Sequence, residues 1–119
     1  MRYVDGFLLA VPKKNLKAYK TMSTKAGKVW MEHGALQYVE TVGDDLKTKM
    51  CASFLDTVKP KKGETVVFSF IVYKSRAHRD QVNKKVMTDP RLAKICDMNK
   101  MPFDLSRMVY GGFSMLVDM

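Results

Sequence analysis

The sequence predicts a single α+β domain. Its antiparallel four-stranded sheet is built in the order β-α-β-β-α-β, with the helices on one face. Three observations carry this. Residues 65–73, Thr-Val-Val-Phe-Ser-Phe-Ile-Val-Tyr, are β-branched or aromatic almost throughout and hold no Gly, Pro or charge. Such a run reads as a strand covered on both faces. Residues 3–11 form a second strand whose two faces are again mostly apolar. Between them, Leu16, Tyr19, Ser23, Ala26, Trp30 and His33 recur at intervals of three and four, the stripe of an amphipathic helix. A chain of 119 residues is long enough to enclose one core without staples.

In the first strand Tyr3, Asp5, Phe7, Leu9 and Val11 share one face, and Val4, Gly6, Leu8 and Ala10 the other. The small-residue face is expected to receive closely packed helices, and the large-residue face to need another cover. Pro12 ends the strand and opens the helix. Lys13, Lys17, Lys20 and Lys28 point away from its inner stripe. Gly34 suits the position just past the helix end, and Gly27 permits a break in its middle. Residues 35–42 make a second strand, whose Gln37, Glu40 and Thr41 suit a wet sheet edge. Gly43-Asp44-Asp45 is a turn. Residues 46–63 are the least legible; residues 53–58 leave two readings open, a helical turn or two capped by Ser53 or a short strand, and residues 59–63 are a basic turn. After the third strand, Ser75 caps a helix running to about Thr88. His78, Val82 and Val86 face inward there, with Ala77 alongside, while Arg76, Arg79, Lys84 and Lys85 take other directions. Asp89-Pro90 starts a short helix anchored by Leu92 and Ile95. Residues 107–117 form the last strand, where Gly111-Gly112 predicts a bulge or a close backbone approach.

Right-handed crossovers then place the first and third strands at the centre of a ferredoxin-like sheet. With both helices on one side, the other side keeps large apolar residues from at least these two strands. That exceeds the patch soluble monomers usually expose. A homodimer paired through this sheet face is the expectation.

The formal net charge is +9, and basic chains are drawn to nucleic acid and to acidic membranes. Sheet aromatics that would stack on bases are, in this reading, occupied by the partner copy. Lys13, Lys17, Lys20, Arg76, Arg79, Lys84 and Lys85 on the helix faces then offer only weak, salt-sensitive contacts. Nucleic acid is therefore the second reading, behind a small organic molecule held between sheet and helices. No run is long enough to span a membrane, and the N-terminus lacks a signal-peptide pattern, so the cytoplasm is the expected compartment. Cys51 and Cys96, far apart, read as reduced thiols.

His33 and His78 both fall on inner helix stripes, so with Trp30 and Tyr38 they are candidates to border one ligand pocket. A neutral imidazole there is a possible general base. Set against this, His33 lies at a helix C-terminus, which favours a positive ring, and His78 is placed to bond across its first turn. Asp5, flanked by Tyr3 and Phe7, is a candidate buried carboxylate, with an Arg of the partner copy as the simplest counter-ion. Glu40, on the edge strand, is expected to be wet. The methionines and phenylalanines read as scattered core filling. The chain has no metal-ligand spacing, no phosphate-cradling loop and no nucleophile elbow, so neither metal nor cofactor is expected. These residues name no catalytic group and leave binding and turnover as alternatives.

The runs at residues 12–16, 28–30 with 32–36, 64–80, 89–92 and 101–104, and Arg107-Met108 with Tyr110-Gly111-Gly112-Phe113, resemble the small bacterial YbaA-like proteins, a domain family of unknown function. They cover most of the chain in order, and residues 46–58 match least. The resemblance implies a ferredoxin-like dimeric α/β barrel. That wider superfamily includes cofactor-free monooxygenases, isomerases and haem enzymes, with pockets between sheet and helices. The YbaA-like group has no established activity, and no catalytic residue carries over from it.

Overall fold

The structure, a computed structural model, describes all 119 residues. In chain order it contains β1 (Tyr3–Pro12), α1 (Leu16–Glu32), β2 (Gln37–Val42), α2 (Phe54–Val58), β3 (Glu64–Tyr73), α3 (Arg76–Met87), α4 (Pro90–Ile95) and β4 (Val109–Ser114). Short 3-10 turns at Lys13–Asn15 and Leu105–Arg107 lead into α1 and β4. All strand pairs are antiparallel and the order is β2-β3-β1-β4, so the first and third strands are central and β2 is an edge.

The two faces of β1 are used the other way round from expectation. Asp5 pairs with Ile71 and Leu9 with Val67, which puts the large-residue face of β1 on the same side as Val67, Ile71 and Tyr73. The long helices pack on that side. Tyr19 of α1 sits on Leu9, Val11 and Val67, and Val29, Val82 and Val86 sit on Ile71 and Tyr73. The reason is volume. Part of the inner surface of α1 is small, made by Ser23, Ala26 and Gly27, so large strand side chains fill the interval. The small-residue face of β1 looks the opposite way. There α2 lies across it, with Val58 on Ala10 and Val66, so helices occupy both faces rather than one.

Helix is the outcome at residue 53. The Ser53 hydroxyl accepts from the Leu55 N–H, and Asp56 accepts from the Ser53 N–H at 2.9 Å, a capping box that fixes α2. In α3 the Ser75 hydroxyl accepts from the His78 N–H, and in α4 Asp89 accepts from the Arg91 N–H with Pro90 at the start. Gly34 ends α1 at φ +113°, a conformation that favours glycine.

Four local expectations change. Helix α1 runs through Gly27 unbroken; a Cβ there would lie 2.7 Å from Cδ1 of Tyr38, so the glycine serves close packing. Ala77 is exposed. Arg79 turns inward, its side chain 13 % exposed, and so leaves the basic outer surface. β4 ends at Ser114, and its register continues through Gly111-Gly112 with no bulge. Close approach is what Gly112 provides: a Cβ on it would stand 2.9 Å from the Tyr3 ring and 3.0 Å from Arg79 Nη1.

At the far end of the sheet Arg107 donates to both oxygens of Glu64, each at 2.9 Å. These bonds, helped by the Lys61 N–H, hold the Glu64 carboxyl at about 2. A carboxyl whose folded value is depressed adds stability above its unfolded value and loses it as pH falls toward the folded one. Wild type is therefore expected to exceed Glu64→Gln in urea stability at pH 7, with the gap closing between about pH 4.3 and pH 2. Parallel unfolding curves across that range, with a constant gap, count against the assignment.

Candidate functional site

Between the sheet and the helices lies a cavity of about 480 Å³ lined by 23 residues, 18 of them hydrophobic. Its floor comes from β1 and β3 through Asp5, Phe7, Leu9, Ser69 and Ile71, and its side from α1 through Tyr19, Met22, Ser23, Ala26 and Trp30. The chain between α4 and β4 covers it with Met98, Met101, Phe103, Leu105 and Met108. Met87 and Met98 also line it and are 62 % and 67 % exposed, so it opens between the end of α3 and the segment after α4.

Three aromatic pairs line this space. Phe7 and Tyr110 have centroids 5.0 Å apart, Tyr19 and Phe103 5.7 Å, and Trp30 and Tyr38 6.0 Å. The Trp30 N–H and the Tyr73 hydroxyl both donate to Asn83 Oδ1, at 3.1 and 3.2 Å, so the indole's polar edge is already satisfied. Five of the ten methionines meet here, from positions 22, 87, 98, 101 and 108. They are a flexible, polarizable lining rather than scattered filler.

The polar part of the wall is a cluster around Glu40. Tyr19 donates to Glu40 Oε1 at 2.7 Å, and Ser23 and Tyr38 donate to Oε2. Burial, together with the Glu40 charge, pushes both tyrosine hydroxyls up, so they serve as donors and not as phenolate bases. Burial also pushes the Cys96 thiol up, which disfavours its thiolate form. Glu40 is thus half-buried and hydrogen-bonded, where the sequence placed it in water. The same four residues border an open groove on the outer side, between α1 and β2, rimmed by Lys17, Lys20 and Lys28.

Asp5 is 1 % exposed and borders the cavity's other end. Its counter-ion is Arg79 of the same chain, at 2.7 Å, which replaces the expected Arg of a partner copy. Arg79 also donates to the Tyr110 hydroxyl and lies over the Tyr3 ring, 4.9 Å from its centroid.

Of the four residues picked from sequence as a pocket, the structure brings Trp30 and Tyr38 together on the cavity wall. His33 and His78 are not among its lining residues. His33 Nε2 bonds Asp89 at 2.8 Å, and His78 Nδ1 accepts from the Lys74 N–H at 3.0 Å. Asp89 is held well below the usual carboxylate range by Arg91 and His33, and Arg91 also reaches Glu32 at 2.7 Å, so this group ties the end of α1 to the start of α4. No group of three or more His, Cys, Asp and Glu stands where it could hold a metal ion. No helix is long and apolar enough to cross a membrane.

Comparison with known proteins returns relatives without an assigned role. The family model described as "Protein of unknown function (DUF1428)" matches residues 2–105. The chain is 43 % identical over 118 residues to "Uncharacterized protein YbaA" of Escherichia coli (strain K12), covering 99 % of each. The same figures hold for the Shigella flexneri protein of that description. Among solved structures, "De novo designed protein Foldit4" has a TM-score of 0.49 at 9 % identity, over 97 % of this chain and 99 % of that one.

Proposed function

The chain belongs to the DUF1428 family of unknown function, whose membership brings no reaction with it, and from its geometry we propose that the protein binds a small organic molecule in the cavity between sheet and helices. The observation that carries this is the convergence of three aromatic pairs, five methionines and a few fixed polar groups on one space of about 480 Å³. A concave, mostly apolar space with a few aimed polar atoms is the usual form of a ligand site. The strand order, with the long helices on one side, supports a ferredoxin-like arrangement. The remaining apolar sheet face supports a face-to-face homodimer, the dimeric barrel implied by the family resemblance.

Nucleic-acid binding through the helix faces is the weaker reading. With Arg79 committed to Asp5, the basic surface loses one of its cations, and the rest offer only phosphate contacts.

Trp30 is the only tryptophan and lies on the cavity wall, so its fluorescence reports occupancy directly. Titration with para-tert-butylbenzyl alcohol is expected to give a saturable change at one equivalent per chain. Ser69→Phe, whose ring would project into the cavity from β3, is expected to abolish it. A linear, unsaturable response in wild type overturns the proposal.

A further inference from the structure

We propose that the ligand of this cavity is an organic cation with an apolar body, an amine or quaternary ammonium; this deepens the reading above and rests on the cavity being the binding site.

The argument starts from charge. The chain carries a net +9, yet the cavity lining contains no Lys, Arg or His. Its only charged side chains are Asp5 and Glu40. Asp5 is neutralised by Arg79 from behind the wall. Glu40 forms no ion pair; its partners are the hydroxyls of Tyr19, Ser23 and Tyr38. Hydroxyl donors stabilise a carboxylate without cancelling its charge, and a half-buried charge is felt more strongly than a solvated one. The occupied site is therefore completed by a positive group.

The walls agree with the carboxylate. Tyr19, Trp30, Tyr38 and Phe103 present aromatic rings around the side of the cavity that holds Glu40. A cation over aromatic faces is attracted by their quadrupoles, the more so when desolvated. The indole N–H is already bonded to Asn83, which favours the ring face as the indole's contribution. The methionine-lined remainder suits an apolar body of adjustable shape. Lys17, Lys20 and Lys28 stand in the open groove on the outer side of the Glu40 cluster. They are exposed and form no ion pair with Glu40, and solvent weakens the pull of exposed charges.

The test uses three probes of nearly one shape at neutral pH: para-tert-butylbenzylammonium, para-tert-butylbenzyl alcohol and para-tert-butylbenzoate. Each is titrated against the full-length wild-type chain and read by Trp30 fluorescence and calorimetry. The expected order is ammonium, alcohol, benzoate, with the ammonium at least about tenfold tighter than the alcohol. Glu40→Gln keeps the shape of the side chain and is expected to bring ammonium and alcohol to parity; circular dichroism confirms that it folds. Equal binding of ammonium and alcohol to wild type overturns the cation proposal and leaves the cavity reading standing. So does tighter binding of the benzoate. No saturable binding of any probe overturns the cavity reading itself, and the cation proposal falls with it.

Discussion

Arg79→Met is expected to destabilise the protein by about 3–5 kcal/mol in urea unfolding, the largest single-site loss outside the apolar core. The Asp5 side chain is 2 % exposed and sits beneath α3 with Arg79 as its counter-ion. Removing the guanidinium leaves a buried carboxylate without its counter-charge, and the Tyr110 hydroxyl loses its donor. The loss comes less from a missing attraction than from an uncompensated charge. The double variant Asp5→Asn/Arg79→Met removes that charge and is expected to recover more than half of the deficit. Its double-mutant coupling should then be at least about 1.5–2.5 kcal/mol, with the cost of Asp5→Asn alone added to it. Additive single costs, with no recovery, would mean that Asp5 reaches solvent when its partner is gone, and the buried-pair description fails.

That pair shows where sequence reading reached and where it stopped. Asp5 was visible as an acid in an apolar strand, because two-residue alternation fixes its face. Its partner was not, since Arg79 reads as one of several cations on an amphipathic helix until α3 is laid on the sheet. Helix boundaries were legible because caps are local chemistry, as at Ser75, Asp89-Pro90 and Gly34. At residues 53–58 the capping-box spacing of Ser53 and Asp56, followed by Val58, was a signal strong enough to choose helix. The sizes of the β1 side chains do not by themselves decide which strand face the helices cover. The small residues of α1, Ser23, Ala26 and Gly27, decide which strand face fits beneath it.

The cavity wall was legible in part for similar reasons. Trp30 and Tyr38 meet on the cavity wall because both occupy inward-facing positions of α1 and β2 that lie over the sheet. His33 and His78 follow the same periodicity, but they sit at helix ends, where the stripe runs off the sheet. Glu40 was assigned to water from its edge strand alone. Tyr38, Glu40 and Val42 share the helix-facing side of β2, which placed Glu40 opposite Tyr19 and Ser23. The methionine convergence had no sequence signal, because positions 22, 87, 98, 101 and 108 meet only through the tertiary fold.

On the other sheet face, Phe68→Asp is expected to weaken a homodimer by two to four orders of magnitude. Val4, Leu8, Phe70 and Val72 share this side with Phe68. Phe68, Val109 and Phe113 are 43 %, 47 % and 60 % exposed there, and Phe54 of α2 stands beside Phe68, its ring centroid 6.3 Å away. α2 covers only the part of the face near Ala10 and Val66. A second copy is the simplest occupant, since a two-fold contact needs only this patch to complement itself. In such a contact every substitution enters twice. Phe68 has 43 % of its surface left to bury, so the two copies lose about 1.3–2.6 kcal/mol of apolar burial per dimer, and desolvating the two new carboxylates brings the cost to about 3–6 kcal/mol. At 1.4 kcal/mol per decade, that is about a hundredfold to ten-thousandfold in the dissociation constant. Because Phe68 is already partly exposed in the single chain, the variant should remain folded, with an unchanged far-ultraviolet spectrum. Lys84→Gln, on the outer face of α3, alters net charge by the same amount and should leave the assembly unaffected. Sedimentation equilibrium at micromolar concentration separates the cases: wild type and Lys84→Gln at twice the chain mass, Phe68→Asp at the chain mass. A wild-type particle of one chain would show that this apolar face is left in water, and the barrel arrangement would have to be abandoned.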